Sequence, residues 1–252
     1  MSPFTVRLRF HGDLPFFIRS NAPELERQLS ERTSVKDAIE ACGVPHTEID
    51  LILVDDQPVD FAHVIGSEVK IDIFPVEPKR ITSFPENRLQ VREMSSFVAD
   101  GHLGKLVRGL RLLGIDVAYD PAAEDRQLIA VATSENRPLL TRDRRLLMHA
   151  ALRHGYYLRS QNPLEQTVEV LRRFDLSSAP APFTRCLRCN AALEAAEKEK
   201  VIEQLEPLTK IYYEDFRRCA GCGQVYWSGS HFEKLQKRIE MIRARVTNDD
   251  AA

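Results

Sequence analysis

Residues 4–10 alternate Phe4, Val6, Leu8 and Phe10 against Thr5, Arg7 and Arg9, the period-two pattern of a half-buried strand. A second apolar patch, Phe16-Phe17-Ile18, follows a Gly-Asp turn region. Ser34, three residues before Asp37, predicts a helix cap, with Val35, Ala38, Ile39 and Cys42 on the apolar face. Gly43 ends that helix and Pro45 prevents its continuation. Cys42 is therefore expected as an inert core thiol. Apolar runs at 49–54 and 69–74 predict further strands. Two strands, a helix, then strands describe a small α+β domain over residues 1–77.

After a polar connector at 78–95, containing Pro78 and Pro85, the rhythm changes. Phe97-Val98-Ala99 predicts a short strand ending at Asp100, and Leu103, Leu106, Val107, Leu110 and Leu113 mark one helix face stopped by Gly114. Lys105, Arg108 and Arg111 fall mostly off that face. Val117–Tyr119 predicts a strand and Glu124–Thr133 a helix, with Leu128, Ile129 and Ala132 inward. A strand at 138–141, a helix through His149, a strand at 156–159 and a helix from Pro163 to Phe174 complete the alternation. Strands alternating with helices imply an α/β domain with a parallel sheet over residues 96–176. A Pro/Ser/Ala linker at 175–185 leads to a small module over 183–245.

Charge divides the chain. Residues 1–77 hold 7 Lys and Arg against 14 Asp and Glu, a net of −7; the rest holds 28 against 23, a net of +5. An acidic head on a basic body suits different partners, and the basic part can meet phosphates. By charge alone, the acidic head is also a candidate to cover the basic body and restrain it. No stretch approaches the roughly 20 apolar residues of a membrane helix. The N-terminus lacks the unbroken apolar core of a signal peptide, so a cytoplasmic protein without membrane contact is expected.

Four of the five cysteines form two C-x-x-C pairs, Cys186 with Cys189 and Cys219 with Cys222, separated by 29 residues. That spacing, without a secretion signal, reads as a closed structural Zn²⁺ site rather than as disulfides. Asn190 and Gly223 follow the pairs and tolerate the positive φ such turns need. Beyond the last pair, Tyr226, Trp227 and Phe232 either stack on bases or pack the module, with packing favoured for Trp227. His231 is a candidate phosphate contact.

In parallel α/β sheets, ligands gather at the carboxyl ends of the strands. Asp100 ends the first strand and Asp143 the third, while Asp125 lies in the first helical turn after the second and is expected to face the sheet. Carboxylates crowded together repel unless protonated or bridged by a cation, and hard oxygen ligands favour Mg²⁺ or Mn²⁺. Each acid has a plain alternative as a cap or turn residue. Glu124 alternates with Asp125, Asp120 lies near the same edge, and Asp116 belongs to the opposite one.

The stretch LVDDQPVDFAHVIGSEVKIDIFPV, residues 53–76, resembles the ubiquitin-like β-grasp, particularly sulfur carriers of the ThiS/MoaD type. Those carriers end in a free Gly-Gly. Here the chain runs on through Pro75-Val76-Glu77-Pro78, which argues for docking a protein partner or regulation rather than sulfur carriage. FVADGHLGKLVRGLRLLGIDVAYD, AEDRQLIAVA and RPLLTRDRRLL resemble the Mut-seven C-terminal RNase family, PIN-like nucleases with an attached zinc ribbon. The resemblance covers about residues 96–235. It implies divalent-metal-dependent RNA cleavage by Asp100, Asp125 and Asp143; many such centres have a fourth acidic or polar member, for which Asp120 and Asn162 are the candidates. Lys105, Arg108, Arg142 and Arg144 are then candidate RNA-backbone contacts. The alternative is a non-catalytic RNA- or ribosome-binding protein on the same fold.

Overall fold

The computed structural model describes residues 2–76, 84–91, 93–176 and 181–248. The expected domain end at 77, residues 78–83 of the connector and 177–180 of the linker lie outside them. In chain order the elements are β1 (Phe4–Phe10), β2 (Glu24–Leu29), β3 (Thr33–Ser34), α1 (Val35–Glu40), β4 (Ile49–Val54), β5 (Gln57–Val59), β6 (Val64–Ile65) and β7 (Val69–Pro75). Next come β8 (Ser96–Ala99), α2 (Gly104–Leu112), β9 (Asp116–Tyr119), α3 (Asp125–Ser134), β10 (Leu139–Thr141), α4 (Arg144–Leu147), β11 (Gly155–Tyr157) and α5 (Pro163–Arg173). The last are β12 (Leu193–Ala196), α6 (Lys198–Val201), α7 (Pro207–Tyr212), β13 (Phe216–Cys219), β14 (Val225–Trp227) and α8 (Ser230–Asn248). Two compact units result: residues 1–94 with 124–158, and residues 95–123 with 159–252.

The first unit is built on a five-stranded mixed sheet ordered β2-β1-β7-β4-β5. β1 and β7 run parallel at its centre and the other pairs are antiparallel. Val6, Leu8 and Phe10 alternate inward from β1, and they are buried together with Ile71 and Ile73 of β7 and with Val35, Ala38 and Ile39 of α1. The Ser34 hydroxyl caps α1 by accepting from Asp37 N at 3.0 Å. Cys42 is half-buried, its thiol pushed up by desolvation, as suits an unreactive side chain. The patch at 16–18 is not the second strand. Pro15 starts a 3₁₀ turn over Leu14–Phe17, with Leu14 and Phe17 buried. The strand is Glu24–Leu29, whose outward Glu24 and Glu26 lie opposite Arg9 and Arg7. Its inward row, Leu25, Arg27 and Leu29, carries a cation, so apolar alternation alone does not reveal it.

This unit also contains α3, α4 and the parallel pair β10–β11. Buried polar groups from the turn before β4 hold that pair. Glu48 accepts from Tyr157 N at 2.7 Å, and His46 Nε2 bonds Leu152 O at 2.8 Å. Arg144 donates to Phe17 O (2.9 Å) and lies over the rings of Phe16, Phe17 and Tyr157. Arg144→Ala is expected to cost about 2 kcal/mol, from a charged hydrogen bond and its ring contacts together. The midpoint of urea unfolding measures this, and an unchanged midpoint would show that the contacts contribute nothing net.

The second unit contains the parallel pair β8–β9, with Ala99 opposite Tyr119. Leu103, Leu106, Val107, Leu110 and Leu113 are all buried, and Gly114 ends the helix at φ +85°. Gly109 lets α2 approach α5 closely: a Cβ there would lie 2.7 Å from Thr167 Oγ1. The antiparallel sheet β12-β13-β14 forms the cysteine module. α8 is dense in charge, yet it buries Ile239, Ile242 and Val246 and packs against α5. No described helix is long and apolar enough to cross a membrane.

Candidate functional site

Asp100 follows β8 and opens a single 3₁₀ turn, with Oδ1 3.2 Å from His102 Nδ1. The backbone after it is tightly set. Tyr119 donates to Gly101 O at 2.6 Å, and a Cβ on Gly101 would sit 2.7 Å from Pro121 O. A glycine is therefore required directly beside Asp100. Asp120 is exposed and accepts from Ala122 N, a turn bond.

Asp125 and Asp143 belong to the first unit. Asp125 is the first residue of α3, and it is exposed rather than turned toward the sheet. The capping task falls to Glu124, which exchanges bonds with Gln127. That leaves the Asp125 carboxylate with no hydrogen bond or ion pair to another described residue. Asp143 caps α4, and both of its bonds, from Arg145 N (2.7 Å) and Leu146 N (3.2 Å), end on Oδ1. Oδ2 has no partner among the described residues. The Asp143-to-Arg145 run thus has a local structural role that its composition hides.

The basic candidates separate. Arg144 is committed to carbonyls and rings of its own unit, as above. Arg142 is half-buried. Lys105 and Arg108 are exposed on α2 and line a surface cavity of about 530 Å³ with Asn162 and Arg238. Asn162 caps α5 through Oδ1, which accepts from Leu164 N at 2.8 Å.

The cysteines come together. All four Sγ atoms lie within 4.8 Å of one another, and no other group of three or more His, Cys, Asp or Glu side chains does so among the described residues. The Cys186–Cys222 and Cys189–Cys219 separations are 3.6 and 3.3 Å, against about 3.8 Å between thiolates around a tetrahedral Zn²⁺. The two turns share one backbone. Asn190 N bonds Cys186 O and Gly223 N bonds Cys219 O, and Asn190 and Gly223 each have φ +73°.

The Tyr226 hydroxyl accepts from Leu187 N at 3.2 Å and lies 3.1 Å from Cys186 Sγ, close enough to share a hydrogen bond with it. Burial raises the Cys186 thiol, but Tyr226 and the neighbouring N–H groups outweigh it and bring the thiol down to about 6. Cys189 is held at about 11: an N–H bond at Ala191 favours its thiolate, but burial and three sulfur neighbours prevail. Four thiolates this close repel, and a dication at their centre removes the conflict. The set fits Zn²⁺.

Three further residues were not singled out for this centre. Arg111 is 2% exposed and donates to Arg188 O and Val117 O, both at 2.8 Å. Asp116 receives Asn190 Nδ2 at 2.7 Å and Arg185 at 3.3 Å, fastening the module to β9. Tyr226 places its hydroxyl against the cysteine cluster, and its ring is half-buried. Phe232 stacks on Phe183, whereas Trp227 stays 38% exposed. The signal for Arg111 was its place beside Leu110, Leu112 and Leu113 on a buried helix end.

The family model described as the Mut7-C RNAse domain matches residues 95–239, and that described as Mut7-C ubiquitin matches residues 4–81. No curated protein matches the chain.

Proposed function

Since the chain belongs to the Mut7-C RNAse domain family, with that family's ubiquitin-like domain in front, we propose that it is a divalent-metal-dependent ribonuclease using Asp100, Asp125 and Asp143. The observation carrying this reading is that the Asp125 carboxylate, and Oδ2 of Asp143, have no partners among the described residues. An ordinary surface acid is often unpaired too, but here Glu124 has relieved Asp125 of capping. Carboxylates of this kind fit Mg²⁺ or Mn²⁺ by donor chemistry. When bound, such an ion lowers the pKa of a water and offsets charge on the phosphodiester.

The chain's own residues then have three tasks. Asp143 holds one oxygen fixed through two backbone N–H groups while presenting the other. Gly101 and Tyr119 fix the backbone that carries Asp100. Lys105 and Arg108 hold strand phosphates without reading sequence. The cysteine cluster is proposed to hold a structural Zn²⁺ with no open position for water.

Purified protein with end-labelled RNA tests the reading. Cleavage should require Mn²⁺ or Mg²⁺, stop with EDTA, and fall at least about a hundredfold in Asp125→Asn with the melting temperature unchanged. Equal cleavage by both proteins would remove Asp125 from the centre. RNA binding without cleavage under any metal would favour the non-catalytic alternative.

A further inference from the structure

Lys105, Arg108 and Arg238 line one cavity with Asn162, Pro163 and Leu164, and no carboxylate shares the lining. None of the three cations has an ion pair or hydrogen bond to another described residue. The Arg238 Nε is buried without an acceptor. The nearest acid on α5, Glu165, is engaged by Arg245. Asn162 spends its carbonyl oxygen on Leu164 N, so its amide N–H₂ remains to donate. The first turn of α5 adds the partial positive charge of a helix N-terminus.

Convergence of like charges without counter-charge costs free energy, and exposed side chains normally swing apart to avoid it. Here packing limits that escape. Gly109 brings α2 against α5, and buried Ile239 and Ile242 seat α8, which carries Arg238, against α5. Two guanidinium forks, an ammonium and an amide are donors throughout, the complement of an acceptor-only anion. The proline and leucine walls leave little for a large polar ligand to bond.

We propose that this cavity is an anion site that takes a phosphate group of a nucleic-acid strand, gripped by Lys105, Arg108, Asn162 and Arg238 from three helices. That the phosphate belongs to RNA rests on the ribonuclease reading. The anion site itself does not.

The test uses full-length protein with no added Mg²⁺ or Mn²⁺, so that binding is read without cleavage. A short oligoribonucleotide with a 3′ dye, carrying a 5′-phosphate or a 5′-hydroxyl, is followed by anisotropy. Arg238→Gln and Arg108→Gln should each weaken binding at least about tenfold, with the salt slope shallower by about 0.7. Lys237→Gln, exposed on the same helix outside the cavity, should change neither. Loss confined to the 5′-phosphorylated strand assigns the site to a strand end; equal loss on both assigns it to an internal phosphate. Binding of inorganic phosphate, lost in Arg238→Gln, would sustain the anion site even if RNA does not bind, and would then count against the ribonuclease reading. Unaltered affinity for both RNA and phosphate in folded Arg238→Gln and Arg108→Gln would overturn the proposal.

Discussion

Cys219→Ser is expected to release the metal and unfold the module around it, the largest structural effect of any single change in this chain. Cys219 is 2% exposed, ends β13 and receives Cys222 N on its sulfur at 3.4 Å. The apolar core nearby consists of Val201, Leu205, Phe216 and Val225. Such side chains contribute about 1.5–3 kcal/mol each. A structural Zn²⁺ in a small domain contributes about 10–16 kcal/mol at neutral pH. The metal therefore contributes about as much as that whole core or more, and serine, a harder and far less acidic ligand, does not replace the thiolate. Wild-type protein should carry one zinc per chain and the variant none. Trp227 emission should shift and residues 183–248 should become protease-sensitive. A metal-free variant with unchanged emission and protease resistance would show that the core alone sustains the module.

Asp143→Asn is expected to abolish metal-dependent cleavage while leaving the protein folded. Asp and Asn cap helices about equally well, and an amide carbonyl oxygen can take over both bonds now made by Oδ1. What disappears is the charge and the second acceptor oxygen. Asp143→Ala should lose cleavage and also about 1 kcal/mol of stability with the cap. The pair of variants separates catalysis from architecture. Cleavage should fall more than about a hundredfold in both, and the melting temperature should drop in the alanine variant alone. RNA affinity of Asp143→Asn should be unchanged or tighter, because one carboxylate no longer repels the phosphate. A variant that cuts normally would leave Asp143 as a helix cap and nothing more.

The elements with clean periodicity were legible in the sequence: β1, β4, β7, β8 and α2 lie where apolar spacing puts them. The cysteine centre was legible because two short spacings encode it locally, down to the positive φ of Asn190 and Gly223. β2 was not, because Arg27 occupies an inward position and Phe16-Phe17-Ile18 offered a more apolar decoy. Asp125 was placed on an inward stripe because Glu124 was read as one alternative for the same task rather than as the cap. Arg238 was invisible for a different reason. It lies over seventy positions from Asn162, and local pattern carries no information about a cavity closed by tertiary packing. The buried stripe of α8 was obscured by the density of charge around it.

The Glu48 and His46 bonds have a consequence for any attempt to isolate the RNAse-family portion, residues 95–239. β11 pairs with β10 along one side, and on the other its Tyr157 N–H ends on Glu48. In a fragment beginning at residue 95, that donor and the Leu152 carbonyl lose their partners. A bare strand edge of this sort recruits other strands, and its ordinary fate is self-association. The ubiquitin-like domain is in this respect a cap on a sheet, and its loss would appear first as insolubility rather than as altered chemistry.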